Sequence, residues 1–226
     1  MIQTRKRHEY LHYLKGQGIE IGAGSDPFPL PARVKVQYVD CITPDELFKI
    51  YPGYHGIRFV TVDIVASAHQ LPCSDSSLDF IINAHVIEHL TDPLGAVAEW
   101  HRVLRPEGIL YSVIPDKTYT YDKPRPCTPL EHVILDYETP DSQRDQEHIH
   151  EYVRLVEKAT AAGQVESRVA QLLSSHDPML HYHVWDYSLT KQLFRYAAER
   201  FGFIPLLITS DKCFETIIIM QKKQTN

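Results

Sequence analysis

A chain of 226 residues suits one domain, with enough length for a proper core and one inserted subdomain. Its 23 Lys and Arg stand against 29 Asp and Glu, a formal charge of −6, so no overall basic field exists to hold nucleic acid and no nucleic-acid partner is expected. No stretch reaches membrane-spanning length, MIQTRKRHEYLHYLKG lacks a secretory apolar run, and Cys41, Cys73, Cys127 and Cys213 form no C-x-x-C, so a soluble cytoplasmic protein with reduced thiols is expected.

Residues 18–22 form a short apolar run that enters a glycine turn, GIEIGAGSDP. Residues 34–40 alternate apolar and polar like a strand that ends on Asp40. Between them, the three prolines of SDPFPLPAR argue against the helix that a cofactor-binding glycine loop usually opens. Residues 59–64 and 78–83 read as the next strands. Over 93–104 the apolar positions Leu94, Val97, Ala98, Val103 and Leu104 predict a helix, with Thr91 and Asp92 available as cap and Pro93 in the first turn. Pro106-Glu107-Gly108 reads as a turn and 109–114 as an apolar strand. Such alternation predicts an α/β fold, a parallel sheet with helices on both faces.

The pattern changes after Pro115. Residues 116–187 are rich in Tyr, His and Pro, with a short helix expected over 128–137 and a longer helical stretch over 146–173 interrupted near Gly163. Residues 188–201 are again helical, with Leu189, Leu193, Tyr196 and Ala197 on one face. Residues 203–208 and 213–220 read as strands of an antiparallel hairpin at the sheet edge. The chain is expected to be a single domain over 1–226, with 116–187 inserted after the fifth strand as a lid that holds the acceptor.

A sheet of this kind binds its ligand outside the carboxyl ends of its strands, where the strand order reverses. Gly22 and Gly24 let the backbone approach a cofactor closely, and Asp40 sits where a carboxylate can accept both ribose hydroxyls. Taken alone, these residues are equally compatible with a tight corner and an ordinary exposed acid. More specific are VDIVASAHQLP, DFIINAHVIEHL and HRVLRPEGILY, which follow in that order.

With these pieces the sequence resembles the class I S-adenosylmethionine-dependent methyltransferases, of the type 11-like group whose loop after the fourth strand reads H-x-x-E-H-x-x-D-P. The resemblance covers residues 18–115 closely and the remainder loosely. It implies a Rossmann-like doubly wound, mostly parallel seven-stranded sheet with an antiparallel C-terminal hairpin, and S-adenosylmethionine as cofactor. It further implies that Glu20, Gly22 and Gly24 frame the methionine end, that Asp40 binds the ribose, and that Ser67, Ala68 and His69 lie along the adenine. Asn83 and His85 would line the pocket beneath the sulfonium. Two positions depart from the family pattern: Asp26 replaces the third glycine of the loop, and Ser67 stands where an aspartate is common, offering the adenine amino group a weaker acceptor than a carboxylate.

His85-Val86-Ile87-Glu88-His89 also matches the H-x-x-E-H of inverted zinc proteases, which would set both histidines on one helical face with Glu88 as general base. Its position between a strand ending in Asn83 and Thr91-Asp92-Pro93 favours the methyltransferase loop. In the insertion, the family tendency toward P-D-K and T-x-L-E-H points to Asp116 and His132 as site residues. An alcohol acceptor needs its proton removed as the bond forms, which makes His132 the expected base, His148 the second choice and Asp116 the orienting group. His148 with His150, or His181 with His183, could make a metal pair, so a divalent metal is left open. Relatives of this pattern look like enzymes of polysaccharide and glycan assembly. The expected reaction is therefore O-methylation of a sugar hydroxyl, on a small-molecule or oligosaccharide acceptor. The alternatives are a methyltransferase for an aromatic or lipid-like metabolite and a non-catalytic S-adenosylmethionine-binding module. Whether copies of the chain form a homo-oligomer is left open.

Overall fold

The structure, a computed structural model, describes residues 6–175, 178–210 and 214–224. Cys213 lies outside the described residues. Seven strands, β1 (Gln17–Ile21), β2 (Lys35–Asp40), β3 (Ile64–Val65), β4 (Leu78–Ala84), β5 (Leu104–Pro115), β6 (Phe203–Ser210) and β7 (Glu215–Lys222), form one sheet. Their order is β3-β2-β1-β4-β5-β7-β6, parallel except for β7, which runs antiparallel between β5 and β6. The Rossmann-like class is thus as expected. The chain leaves β1 toward β2 on one side and returns to pair β4 on the other, and this reversal opens a crevice at the strand ends.

The central strands are buried on both faces, which is why they read as unbroken apolar runs. On one face Ile19, Ile81, Leu110 and Ile218 pack under α2 (Pro93–Val103), α3 (Leu130–Glu138) and α6 (Tyr187–Phe201). The other face, with Phe80, Ile82, Tyr111 and Ile217, is closed by Leu14, Phe28 and Val34. Those three come from short 3-10 turns near the start and from the β1–β2 connection, so the helices expected on this face are replaced there by extended chain. The prolines of SDPFPLPAR supply the reason: each removes a backbone donor that a helix needs. Phe28, held between them, sets its ring edge-on to Tyr111 at 5.3 Å.

Other boundaries also moved. The strand expected over 59–64 shrinks to Ile64–Val65, because Val60 N donates to Gly24 O and Asp63 N to Tyr38 O, drawing that segment along the glycine loop. The 106–108 turn is a bulge inside β5, with Glu107 at φ +66°. The first helix, α1 (Pro44–Ile50), was not anticipated, although Thr43 and Glu46 form a capping box that the T-P-D-E string announces. In the insertion, α4 (Ser142–Leu155) and α5 (Ala162–Ser175) break before Gly163, not at it. They enclose a small core of their own with Ile149, Val153, Val165, Val169 and Leu180. Among the described residues no helix is long and apolar enough to cross a membrane.

Candidate active site

A cavity of about 930 Å³ opens at the carboxyl ends of β1, β2 and β4. That is near the upper end of small-molecule sites, roughly 300–1,000 Å³, and gives room for two ligands side by side. Glu20, Gly22, Gly24, Asp40, Ser67, Ala68 and His85 line it. The other two residues expected at the cofactor do not. Asn83 is fully buried and donates through Nδ2 to Ser112 Oγ at 2.8 Å, while His69 turns its Nε2 to the Asp92 carbonyl at 2.8 Å.

Local chemistry accounts for the floor. Gly22 and Gly24 have φ of +67° and +56°, the left-handed region that costs any L side chain. A Cβ on Gly22 would also stand 2.6 Å from Val86 Cγ2. Trp100, wholly buried on α2, donates its Nε1 to Ala68 O at 3.0 Å and so ties the core to the cavity wall. Asp26 pairs with Arg7, a buried residue on the cavity wall whose Nε has no hydrogen-bond partner.

Glu20 is 1% exposed and accepts from Phe28 N at 3.1 Å. Burial pushes its carboxyl up to about 7, against the pull of Phe28 N–H and of Arg7; Asp26 adds to the rise. Asp40 is likewise raised by burial, which the Ile42 N–H and Cys41 only partly oppose. Two half-satisfied carboxylates and a guanidinium in one cavity match the ammonium, ribose hydroxyls and carboxylate of S-adenosylmethionine, so the residues present fit that cofactor.

Glu20 carries a pH signature. The fold keeps its proton up to about pH 7, whereas an unfolded glutamate releases it near 4.5, so stability declines as pH rises through that window. Above it the ionised side chain costs the ligand-free fold about 3 kcal/mol. Glu20→Gln is expected to melt higher than wild type at about pH 8, with the difference vanishing near pH 4. Thermal melts across pH check this, and a gap independent of pH would refute it.

The roof comes from the insertion. Tyr121, Tyr152, Arg168, Met179, Leu180 and His181 line it. His181 Nδ1 lies 2.6 Å from Asp122 Oδ2, and Asp122 Oδ1 accepts from Arg125 Nη1 at 2.9 Å. Burial alone would raise Asp122, but the hydrogen bond and charge of His181 together with Arg125 hold it below its ordinary range. Arg125 also donates to the carbonyls of His181 and Tyr182, and the Tyr121 ring stacks on His181 at 4.9 Å. The imidazole is thus held from several sides. No spacing signal could have found this pair, because 59 residues separate its members.

His85, on the floor, has φ +55° and sets Nε2 2.9 Å from Glu215 Oε1. Burial works against its charge, but Glu215 and Glu88 outweigh that and raise it, so it holds its proton more tightly. The protease-like arrangement does not form. Residues 87–89 are a 3-10 turn, His85 turns to Glu215, and His89 Nδ1 lies 3.0 Å from Leu180 O.

The expected catalytic residues lie elsewhere. His132, His148 and Asp116 are not on the cavity wall. Asp116 holds local turns, accepting from Thr118 N at 2.8 Å and from Tyr187 N at 3.3 Å. His132 and His148 face each other, Nε2 to Nε2 at 2.9 Å, with Asp136 and His183 beside them. Neither anticipated histidine pair forms. His150 turns from His148 to Glu166, since two helical steps reverse direction, and His181 and His183 diverge along extended chain.

Fold and cavity together define an α/β domain with a ligand-sized cavity at the strand-order reversal. The comparisons sharpen this. Residues 20–112 match the family model described as "Methyltransferase domain". A relative in Mycolicibacterium smegmatis described as a probable S-adenosylmethionine-dependent methyltransferase is 38% identical over 75 residues, 32% of this chain and 29% of that protein. An uncharacterized Methanocaldococcus jannaschii protein is 33% identical over 116 residues, 51% of each chain. The matches thus span from under a third to about half of these relatives. A solved S-adenosylmethionine-dependent methyltransferase from Methanosarcina mazei shares the fold at TM-score 0.52 and 17% identity, over 96% of this chain and 97% of that one. Residues 20–112 thus resemble a methyltransferase domain, and the Mycolicibacterium smegmatis relative is described as using S-adenosylmethionine.

Proposed function

We propose that the protein is an S-adenosylmethionine-dependent O-methyltransferase acting on a hydroxyl of a sugar or oligosaccharide. The single observation that carries the oxygen acceptor is the His181–Asp122 pair in the cavity roof, a base with its orienting carboxylate. When bound, the cofactor supplies a methyl group made electrophilic by its sulfonium. Glu20, Asp40 and the glycine turn hold it, with Arg7 facing its carboxylate. Asp122 keeps His181 in the tautomer protonated at Nδ1, which leaves Nε2 to take the proton of the acceptor hydroxyl. The lid excludes water and positions the acceptor, the main source of rate in an in-line displacement. The roof mixes Tyr121, Tyr152, Arg168 and His181 with Met179 and Leu180, and that polar and aromatic share supports a polyhydroxylated acceptor over a wholly lipid-like one.

A screen of sugars and oligosaccharides with the purified protein and S-adenosylmethionine, read as the mass gain of one methyl, tests the reading. Transfer to a hydroxyl is the expected result. Transfer only to aromatic or lipid-like acceptors would replace the sugar, and absence of S-adenosylmethionine binding in calorimetry would remove the reaction altogether.

A further inference from the structure

The insertion holds a second cluster, outside the cavity lining. His132, Asp136, His148 and His183 each offer a ligand atom, and all four atoms lie within 4.8 Å of one another. Asp136 is 4% exposed and His183 wholly buried, yet Asp136 Oδ2 and His183 Nδ1 have no hydrogen-bond partner. Buried polar atoms left without partners in one cluster call for an explanation.

From this geometry we infer that the four side chains form a binding site for a divalent transition-metal ion of the zinc class. A tetrahedral ion with bonds of about 2.0–2.1 Å has ligand-to-ligand edges of about 3.3–3.4 Å. The separations here are 2.9 Å from His132 Nε2 to His148 Nε2 and 3.3 Å from His132 Nε2 to Asp136 Oδ2, close to that edge, and the ligand atom of His183 lies within 4.8 Å of the other three. Three imidazoles and one carboxylate suit zinc and its neighbours, not the oxygen-seeking magnesium or calcium.

The surroundings also match what a metal's ligands require. Arg144 Nε donates to Asp136 Oδ1 at 2.8 Å, which turns Oδ2 inward. His183 Nε2 lies 3.3 Å from Thr91 O, so the backbone holds one ring nitrogen while the other can ligate. The ligands come from α3, α4 and the segment after α5, beside the loop that follows β4. An ion there ties α3, α4 and the stretch of chain that carries His181 to one another. Four protein ligands leave no open position, so the role is structural, independent of whether methyl transfer is the reaction.

The test uses the full chain, stripped with a chelator, reloaded with zinc and desalted. Elemental analysis is expected to find about one zinc per chain in wild type and in His150→Gln, and a loss of about tenfold or more in Asp136→Asn and His148→Gln. Circular dichroism shows whether these variants fold. Should they not, cobalt decides the matter in wild type: a 1:1 titration with the intense visible bands of four-coordinate cobalt supports the site. Fewer than about 0.1 equivalents of zinc or cobalt in wild type, or metal unchanged by both ligand substitutions, overturns it.

Discussion

His181→Gln is expected to lower the rate of methyl transfer by about 10²- to 10⁴-fold, the range by which a positioned base accelerates proton removal. The affinity for S-adenosylmethionine should change little, because the residues proposed to hold the cofactor lie on β1, β2, the glycine turn and the segment before β1, not in the lid. Single-turnover rates and calorimetry separate the two effects. Added imidazole should restore part of the rate to His181→Ala, which a side chain with a purely structural role would not permit. Asp122→Asn is a harsher change. Arg125 is wholly buried and leans on Asp122, with Glu151 as its second carboxylate at 2.8 Å. Removing one partner of a buried ion pair costs about 3–5 kcal/mol, so that variant loses stability along with rate. A His181→Gln enzyme within about twofold of wild type would exclude the residue as the base.

Gly22→Val is expected to weaken S-adenosylmethionine binding by about 100-fold or more while the sheet remains folded. Two penalties coincide at this position. The left-handed backbone costs an L residue about 1–2 kcal/mol, and the new Cβ meets Val86 at 2.6 Å in the cavity wall. The loop must then shift, and Gly22 N loses its 2.9 Å bond to Val39 O at the point where the cofactor approaches the backbone. Gly163→Ala is the matched control. It lies in α5, where an added Cβ meets nothing within 4 Å, and should leave binding unchanged with a gain of about 0.5–1 kcal/mol in stability. Calorimetric titration of both variants checks the contrast, and wild-type affinity in Gly22→Val would sink the proposed role of the loop.

The two halves of the molecule were not equally legible in the amino-acid order. β1 and β4 announce themselves as apolar runs and β2 by its alternation, and each ends on residues that sheet packing points the same way, so Glu20, Gly22, Asp40 and His85 reach one cavity. The prolines after Gly24 foretold the missing helix between β1 and β2. What they could not convey is that Phe28 would take over its packing against Tyr111. In the insertion the expected histidine pairs are not the ones the fold brings together. The list of histidines contained both His181 and His183, but one of them turns to Asp122 and the roof, and the other to His132 and His148.

The sequence by itself determined where the main strands lie along the chain, the glycine turn and the acids at the strand ends, because those follow from short-range period and from the direction a strand imposes on its side chains. Only the tertiary structure decided which polar groups of the lid face the cavity and which close on one another. That choice depends on how α3, α4 and α5 dock around a core of their own, and on contacts between residues tens of positions apart, where no local spacing carries the information.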